Sequence, residues 1–141
     1  MAGSINFFSE EISFTLKNKI KVRNWISETI LQESRHLREL NIIFCSDDYL
    51  LNINRQYLNH DTFTDIITFD TGIGNDLIGD IFISIERVRE NASSLNIPEV
   101  DELHRVIIHG VLHLIGYGDK KPSQKMEMTA KEDIYLSVRK F

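Results

Sequence analysis

The amino-acid sequence predicts an α+β fold of about four strands and five helices in a single domain, residues 1–141. The chain is 42% hydrophobic and 26% charged, a composition that supports one buried core and excludes disordered and low-complexity classes. Apolar residues alternate in some segments and recur at helical spacing in others. The sequence has two prolines and no Gly/Ser-rich linker, so no domain boundary is predicted.

Strands are predicted where apolar side chains alternate or form short β-branched and aromatic runs between turn residues. In the first such segment, Ile12, Phe14 and Leu16 occupy every second position. The last two segments flank the turn-rich stretch 71–76 and are predicted to pair as a hairpin. In chain order, the predicted strands cover residues 12–16, 40–45, 65–69 and 78–84.

Helices are predicted from apolar residues at helical spacing and from capping residues at their starts. Ser46 or Asp47 is suited to cap the second helix, and the third is predicted to begin at Ser84 or Ile85. Pro98 and Pro122 suit the first turns of the fourth and fifth, where a missing N–H costs nothing. In chain order, the predicted helices cover about residues 19–37, 49–57, 85–95, 98–114 and 122–138.

The net charge of −5 argues against a broad basic surface for nucleic acid. The charge is uneven, because residues 47–102 hold three basic and twelve acidic side chains, whereas residues 103–141 hold seven basic and four acidic ones. The single cysteine, Cys45, cannot form an internal disulfide. No targeting pattern and no run of about 18 apolar residues is found. The sequence therefore predicts a soluble, cytoplasmic protein with no membrane partner.

The segment with the clearest chemistry is HGVLHLIGYGD, residues 109–119. His109 and His113 are four residues apart, which places both imidazoles on one helix face at a distance that lets them share a metal. Gly116 can end the helix with a positive φ, so that Asp119 can return a carboxylate to the same metal. The alternative is that both are ordinary helix histidines. Their neighbours are apolar, however, and burying two polar rings costs free energy unless their nitrogens have partners, which a shared metal would provide.

A ligand set of two nitrogens and one oxygen leaves the fourth position of zinc open, which is the arrangement of a catalytic site, where bound water can lose a proton near neutral pH. The pattern HxxxHxxGxxD is close to the zinc peptidase motif HExxHxxGxxH, whose glutamate is the general base. That position is Gly110 here. The spacing therefore predicts a metal-dependent hydrolase and does not favour a peptidase.

The same segment resembles the hallmark HGxLHLxGYDH of the YbeY-type rRNA maturation endoribonucleases and matches it at seven positions. Upstream, residues 54–69 look like the family's LNxxYRxKDxPTDVLSF region, and residues 79–81 look like its GDI strand. Downstream, Met128 and Glu132 stand where the family has a methionine and a glutamate on its last helix. The resemblance covers about residues 51–136.

The resemblance implies a zinc-dependent hydrolase that cuts single-stranded RNA in rRNA maturation and ribosome quality control. The implied partners are single-stranded RNA, rRNA above all, and the ribosome or ribosomal proteins. The implied fold is a small mixed sheet of four strands surrounded by helices, one of them a metzincin-like metal helix. One Zn²⁺ per chain would be held by His109, His113 and Asp119.

Two positions depart from the family's pattern. Its third metal ligand is usually histidine, whereas this chain has Asp119; a carboxylate lowers the net charge of the site and leaves other divalent metals open. Its phosphate-binding arginine is replaced by Leu58, which cannot pair with a phosphodiester. Arg55, three residues earlier, is the candidate substitute for that phosphate contact, and the alternative is a solvated helix residue.

Further candidates surround this segment. His104 lies about 140° from His109 around an ideal helix, so it is predicted to lie outside the ligand set, either at the surface or behind the ligands. Lys120, Lys121 and Lys125 follow the predicted site, where an RNA backbone would pass. The rival function is a non-catalytic, ribosome-associated RNA-binding protein in which a structural metal stabilises the last helices.

Overall fold

The computed structural model describes residues 3–141, which form one four-stranded sheet and five helices in a single domain. In chain order the elements are β1 (Ser4–Glu10), α1 (Lys19–Gln32), β2 (His36–Cys45), α2 (Asp47–Leu58), β3 (Ile66–Asp70), β4 (Asp76–Ser84), α3 (Ile85–Leu95), α4 (Glu99–Ile115) and α5 (Pro122–Ser137). None of these helices is both long enough and apolar enough to span a bilayer.

The sheet is mixed, with the strand order β1-β2-β4-β3. The pairs β1–β2 and β2–β4 are parallel. At the other edge β3 runs antiparallel to β4, as a hairpin requires. The α+β class, the mixed four-stranded sheet and the hairpin predicted from the sequence are therefore confirmed.

The two faces of the sheet are covered by different helices. Along β4, the buried side chains of Leu77, Ile81 and Ile83 belong to the main core, which α1 and α4 complete. Phe82 points to the opposite face, where it packs with Tyr49 of α2. This alternation is the period-two pattern of a strand between two layers.

Helix α4 packs against the sheet at a contact with glycines on both sides, where a Cβ atom would clash. A Cβ atom at Gly110 of α4 would lie 2.7 Å from the Cδ1 atom of Ile66. A Cβ atom at Gly79 of β4 would lie 2.7 Å from the backbone oxygen of Phe69 and 3.0 Å from both methyl groups of Leu114. The close approach brings the middle of α4 against β3 and β4, and it gives Gly110 a packing role in place of the glutamate of peptidases.

The predicted strand over 12–16 is wrong. The first strand is β1, and residues 12–16 form an irregular segment whose apolar side chains still point into the core. Leu16 is buried, and the ring of Phe14 lies 4.9 Å from that of Phe44. The alternation therefore reflects burial without ladder hydrogen bonds.

The predicted end of the first helix near residue 37 is also wrong. Helix α1 ends at Gln32, and Ser34 follows with a φ of 61°. Leu37 belongs to β2, which begins at His36 rather than near residue 40. The other predicted helices agree with the structure within two residues at each end. Ser46, one of the two predicted capping residues, caps α2, and Ser84 caps α3, which begins at Ile85.

Candidate metal centre

Three side chains converge at the carboxyl end of α4. His109 and His113 lie one turn apart, with ring centroids 4.5 Å apart and ring planes at 80°. Asp119 places Oδ2 3.4 Å from Nε2 of His109 and 3.2 Å from Nε2 of His113. Each of the three offers a ligand atom within 4.8 Å of the other two. The structure thus brings together the three residues that the sequence singles out.

The geometry of this group fits a metal ion. Around a tetrahedral zinc with bonds of about 2.1 Å, neighbouring ligand atoms lie about 3.4 Å apart. The two distances from Asp119 to the histidine nitrogens agree with that spacing. The side chains of His109, His113 and Asp119 retain 24%, 25% and 39% of their exposure, so a fourth ligand could approach from solvent. The group could therefore bind a metal ion.

Gly116 explains how the chain returns to the histidines. Its φ of 129° lies in a region that side-chain-bearing residues rarely adopt. The N–H groups of Gly116 and Tyr117 both donate to the oxygen of Leu112, at 3.1 and 3.0 Å, and end the helix. Arg35 donates to the oxygen of Ile115 at 2.6 Å and satisfies another terminal carbonyl. The predicted role of Gly116 is confirmed, and the turn leads directly to Asp119.

Glu132 of α5 holds His109 from behind. Its Oε2 atom lies 2.6 Å from Nδ1 of His109, and its Oε1 atom accepts from Arg105 at 2.8 Å. Burial lowers the pKa of His109, but the hydrogen bond and the charge of Glu132, together with the charge of Asp119, outweigh burial and raise the pKa above its ordinary value. With Nδ1–H directed at this carboxylate, Nε2 is the nitrogen presented to a metal, as in carboxylate–histidine–metal arrangements.

The sequence indicates Glu132 only through the family resemblance and gives it no role. Helical spacing could have indicated that Glu132 is buried, since it shares the buried face of α5 with Met128 and Tyr135. An acidic residue on such a face needs a buried partner.

Acidic side chains also surround His109 on a neighbouring surface. A cavity of about 250 Å³ is lined by His109 and Glu132 together with Asp65, Glu102 and Arg105. Burial raises the pKa of Asp65, and burial and the charge of Asp65 raise that of Glu102. The surroundings of the three-residue group are therefore suited to positive charge.

His104 lies neither at the surface nor behind the proposed ligands, so both predicted positions are wrong. Its ring is 3% exposed and packs between Trp25 and Phe141, with centroid distances of 5.7 and 5.2 Å. Burial and the charge of Arg139, which donates to Nδ1 at 2.7 Å, lower the pKa of His104 to about 4. Its predicted position outside the ligand set is confirmed, because its ring lies in the core between Trp25 and Phe141.

Arg55 is exposed near the end of α2, where its guanidinium pairs with Asp61. In the described part of the chain, its side-chain hydrogen bond goes to Asp61 and not to His109, His113 or Asp119. The phosphate contact predicted for Arg55 stays a prediction. Leu58, which replaces the family's arginine, is 42% exposed at the end of the same helix.

These features define a class of small α+β domains in which a helix bearing HxxxH ends at a glycine and is followed by a carboxylate, a group of three residues that could bind a metal ion. The chain belongs to the endoribonuclease YbeY family, whose model matches residues 4–139. It is 52% identical over 131 residues to the endoribonuclease YbeY of Flavobacterium psychrophilum, covering 93% of this chain and 94% of that protein. It is 49% identical over 139 residues to that of Cytophaga hutchinsonii, covering 98% and 97%.

A solved structure shares the fold. The solution structure of TM1509 from Thermotoga maritima superposes with a TM-score of 0.68 at 28% identity, covering 95% of this chain and 87% of that one. The resemblance to the YbeY family that the sequence predicts is therefore confirmed along nearly the whole chain.

Proposed function

We propose that this single domain is a metal-dependent endoribonuclease that hydrolyses phosphodiester bonds of single-stranded RNA, with one Zn²⁺ held by His109, His113 and Asp119. The observation that carries this assignment is the convergence of two imidazole Nε2 atoms and one carboxylate oxygen at a point that solvent can reach. Relatives named endoribonuclease YbeY, about half identical over nearly the full chain, support RNA as the substrate.

The chain's own residues prepare the site. A bound Zn²⁺ would supply a Lewis acid with an open position for a substrate or water oxygen. Glu132 fixes the tautomer and the ring orientation of His109. Asp119 contributes a negative ligand, which reduces the net charge of the site compared with a third histidine and leaves other divalent metals able to bind.

Positive side chains next to the site would contact the RNA backbone. Lys120, Lys121 and Lys125 are exposed and follow directly after Asp119. We also assign Arg55 a phosphate contact, for which a substrate phosphate would have to displace Asp61. Since the whole chain carries −5, the RNA affinity of the isolated protein should be weak and sensitive to salt.

The biological setting that fits this activity is rRNA maturation and ribosome quality control in the cytoplasm. Weak intrinsic RNA affinity is consistent with a substrate that the ribosome or a ribosomal protein presents. Membership of the YbeY family and the motif between His109 and Asp119 support this setting.

The decisive experiment measures bound zinc and cleavage of a single-stranded RNA by wild type, His113→Ala and Asp119→Ala. Both variants should lose metal and activity, whereas His36→Ala, which removes an exposed histidine outside the site, should retain both. Unchanged metal and activity in both variants would refute the ligand assignment. RNA binding without cleavage, with a large drop in melting temperature on chelation, would instead support the non-catalytic protein with a structural metal.

A further inference from the structure

Tyr117 lies in the short turn that carries Asp119 to the histidines. Its hydroxyl donates to Oε1 of Glu33 at 2.5 Å, across 84 positions of sequence. The side chain of Glu33 is only 9% exposed, although the residue caps the carboxyl end of α1. A buried carboxylate on a distant helix thus anchors the turn two residues before the third member of the metal group.

The other oxygen of Glu33 is held by α5. It accepts from the hydroxyl of Tyr135 and from Nζ of Lys131, the latter at 3.1 Å. The Lys131 ammonium also lies 5.7 Å from the centroid of the Tyr117 ring. Because Glu33 has three donors from two other segments, its carboxylate has little freedom to move, and neither has the Tyr117 hydroxyl bonded to it.

Helix α5 therefore contacts one member of the metal group, His109, directly and the turn before Asp119 through Glu33. Lys131 and Tyr135 face Glu33, whereas Glu132, which follows Lys131 in the chain, faces His109. One turn of α5 fixes the His109 ring directly and fixes the turn before Asp119 through Glu33. These contacts connect His109 on α4 with the turn that leads to Asp119 beyond its end.

We propose that Glu33 and Tyr117 are positioning residues of the metal centre, whose mutual hydrogen bond sets where the Asp119 carboxylate stands relative to the histidine nitrogens. This inference rests on the proposed function, because it concerns the affinity of that site for its metal. Partners that contact a metal ligand directly change metal affinity about 10- to 100-fold. Tyr117 is two residues away from Asp119 and does not contact a ligand itself. Removing its hydroxyl should therefore weaken Zn²⁺ binding by about tenfold, the lower end of that range.

The test measures Zn²⁺ affinity of the full chain by competition with a chelating dye, and the visible absorption of the Co²⁺-loaded protein as a report of ligand geometry. Tyr117→Phe and Glu33→Ala should each weaken Zn²⁺ binding about tenfold and alter the Co²⁺ spectrum. Glu33→Gln retains an acceptor for Tyr117 and should recover most of the affinity. Glu28 lies on α1 and lines, together with Glu33, Lys131 and Tyr135, a second cavity of about 500 Å³. As the matched control, Glu28→Ala should behave like wild type.

The coupling of the two residues is tested by the double variant. If both act through one hydrogen bond, Tyr117→Phe combined with Glu33→Ala should bind Zn²⁺ no more weakly than the worse single variant. Melting temperatures of the metal-free proteins distinguish a variant that has lost its fold from one in which only the ligand has moved. If Glu33→Ala does not fold, Tyr117→Phe still tests the inference, because it removes only one oxygen atom.

Two results would overturn this inference and leave the proposed function standing. In the first, wild type binds Zn²⁺ and cleaves RNA, and Tyr117→Phe has the same Zn²⁺ affinity and Co²⁺ spectrum. In the second, Glu28→Ala loses as much Zn²⁺ affinity as Tyr117→Phe. A wild type that neither binds Zn²⁺ nor cleaves RNA would overturn the proposed function and this inference together.

Discussion

Removing the charge of Glu132 tests whether the carboxylate behind His109 supports metal binding. In Glu132→Gln the side chain keeps its shape and an acceptor oxygen for Nδ1–H but loses its negative charge. The contact is short, 2.6 Å, and the side chain is 8% exposed, so solvent screens the charge little. Arg105 loses one carboxylate but keeps Asp133 at 2.8 Å, so the substitution does not strand a buried cation.

The size of the effect follows from the kind of hydrogen bond that is lost. A hydrogen bond to a charged group contributes about 1.5–3 kcal/mol, against about 0.5–1.5 for a neutral one. The difference of about 1–1.5 kcal/mol corresponds to Zn²⁺ binding that is weaker by about 5- to 12-fold. Glu132→Ala removes the acceptor as well and should lose more, toward about 100-fold.

Competition with a chelator of known affinity, near neutral pH, measures this loss. Glu127→Gln is the matched control, since it makes the same chemical change at an exposed position of α5. Zn²⁺ affinities of Glu132→Gln and Glu132→Ala indistinguishable from wild type would refute the reasoning, because they would show that the orientation of His109 does not depend on Glu132.

The remaining predictions concern other parts of the molecule. His104 has a pKa of about 4 in the fold against an ordinary 6.5, so on acidification the unfolded chain takes up this proton first. The free energy of unfolding should therefore fall by about 3 kcal/mol from pH 6.5 to 4. Urea unfolding at several pH values should show a smaller fall for His104→Phe than for wild type, and an equal fall in both would contradict the assignment. Gly79→Ala would place a Cβ 2.7 Å from the backbone oxygen of Phe69 on β3 and 3.0 Å from both methyl groups of Leu114 on α4. It should lower the free energy of unfolding by about 1–3 kcal/mol, which the urea midpoint measures; an unchanged midpoint would show that β3 and Leu114 can move aside without cost. Asp61→Asn should free the Arg55 guanidinium and lower the KM for a single-stranded RNA, whereas Arg55→Ala should raise it; an unaltered KM in both would remove Arg55 from the substrate site.

The candidate ligands could be predicted from the sequence because their geometry is local. Residues four apart on a helix have a fixed separation, so His109 and His113 needed no tertiary information. Gly116 and Asp119 follow within six residues of the second histidine, and the turn that joins them is set by a backbone conformation that glycine favours. A short segment with few degrees of freedom thus contains all three candidate ligands.

The residues that support the ligands could not be predicted in the same way. Glu132 reaches His109 across 23 positions, and Glu33 reaches Tyr117 across 84. Both contacts exist only after α1 and α5 have packed against α4, and no local spacing records that packing. His104 shows the same limitation, because its angle from His109 predicts another face of α4 but not that this face is covered by Trp25.

The strand error has a related cause. Alternation reports which side chains are buried and carries no information on backbone pairing. In β1, an edge strand that pairs only with β2, Ile5 alone is fully buried, so no alternation is visible. Residues 12–16 alternate because Phe14 and Leu16 pack on the core without joining the sheet.

The distribution of charge suggests an order of binding under the proposed function. The ligand group contains Asp119 and lies at the carboxyl end of α4, where the helix dipole is negative. The nearby carboxylates of Asp65 and Glu102 add to this potential, which repels a phosphodiester until a divalent cation offsets it. Lys120 and Lys121 lie beyond Asp119, so they attract RNA to the edge of the site rather than to its centre. A net charge of −5 is therefore compatible with work on RNA, because the metal would supply the positive charge at the reacting phosphate and the lysines would guide the strand toward it.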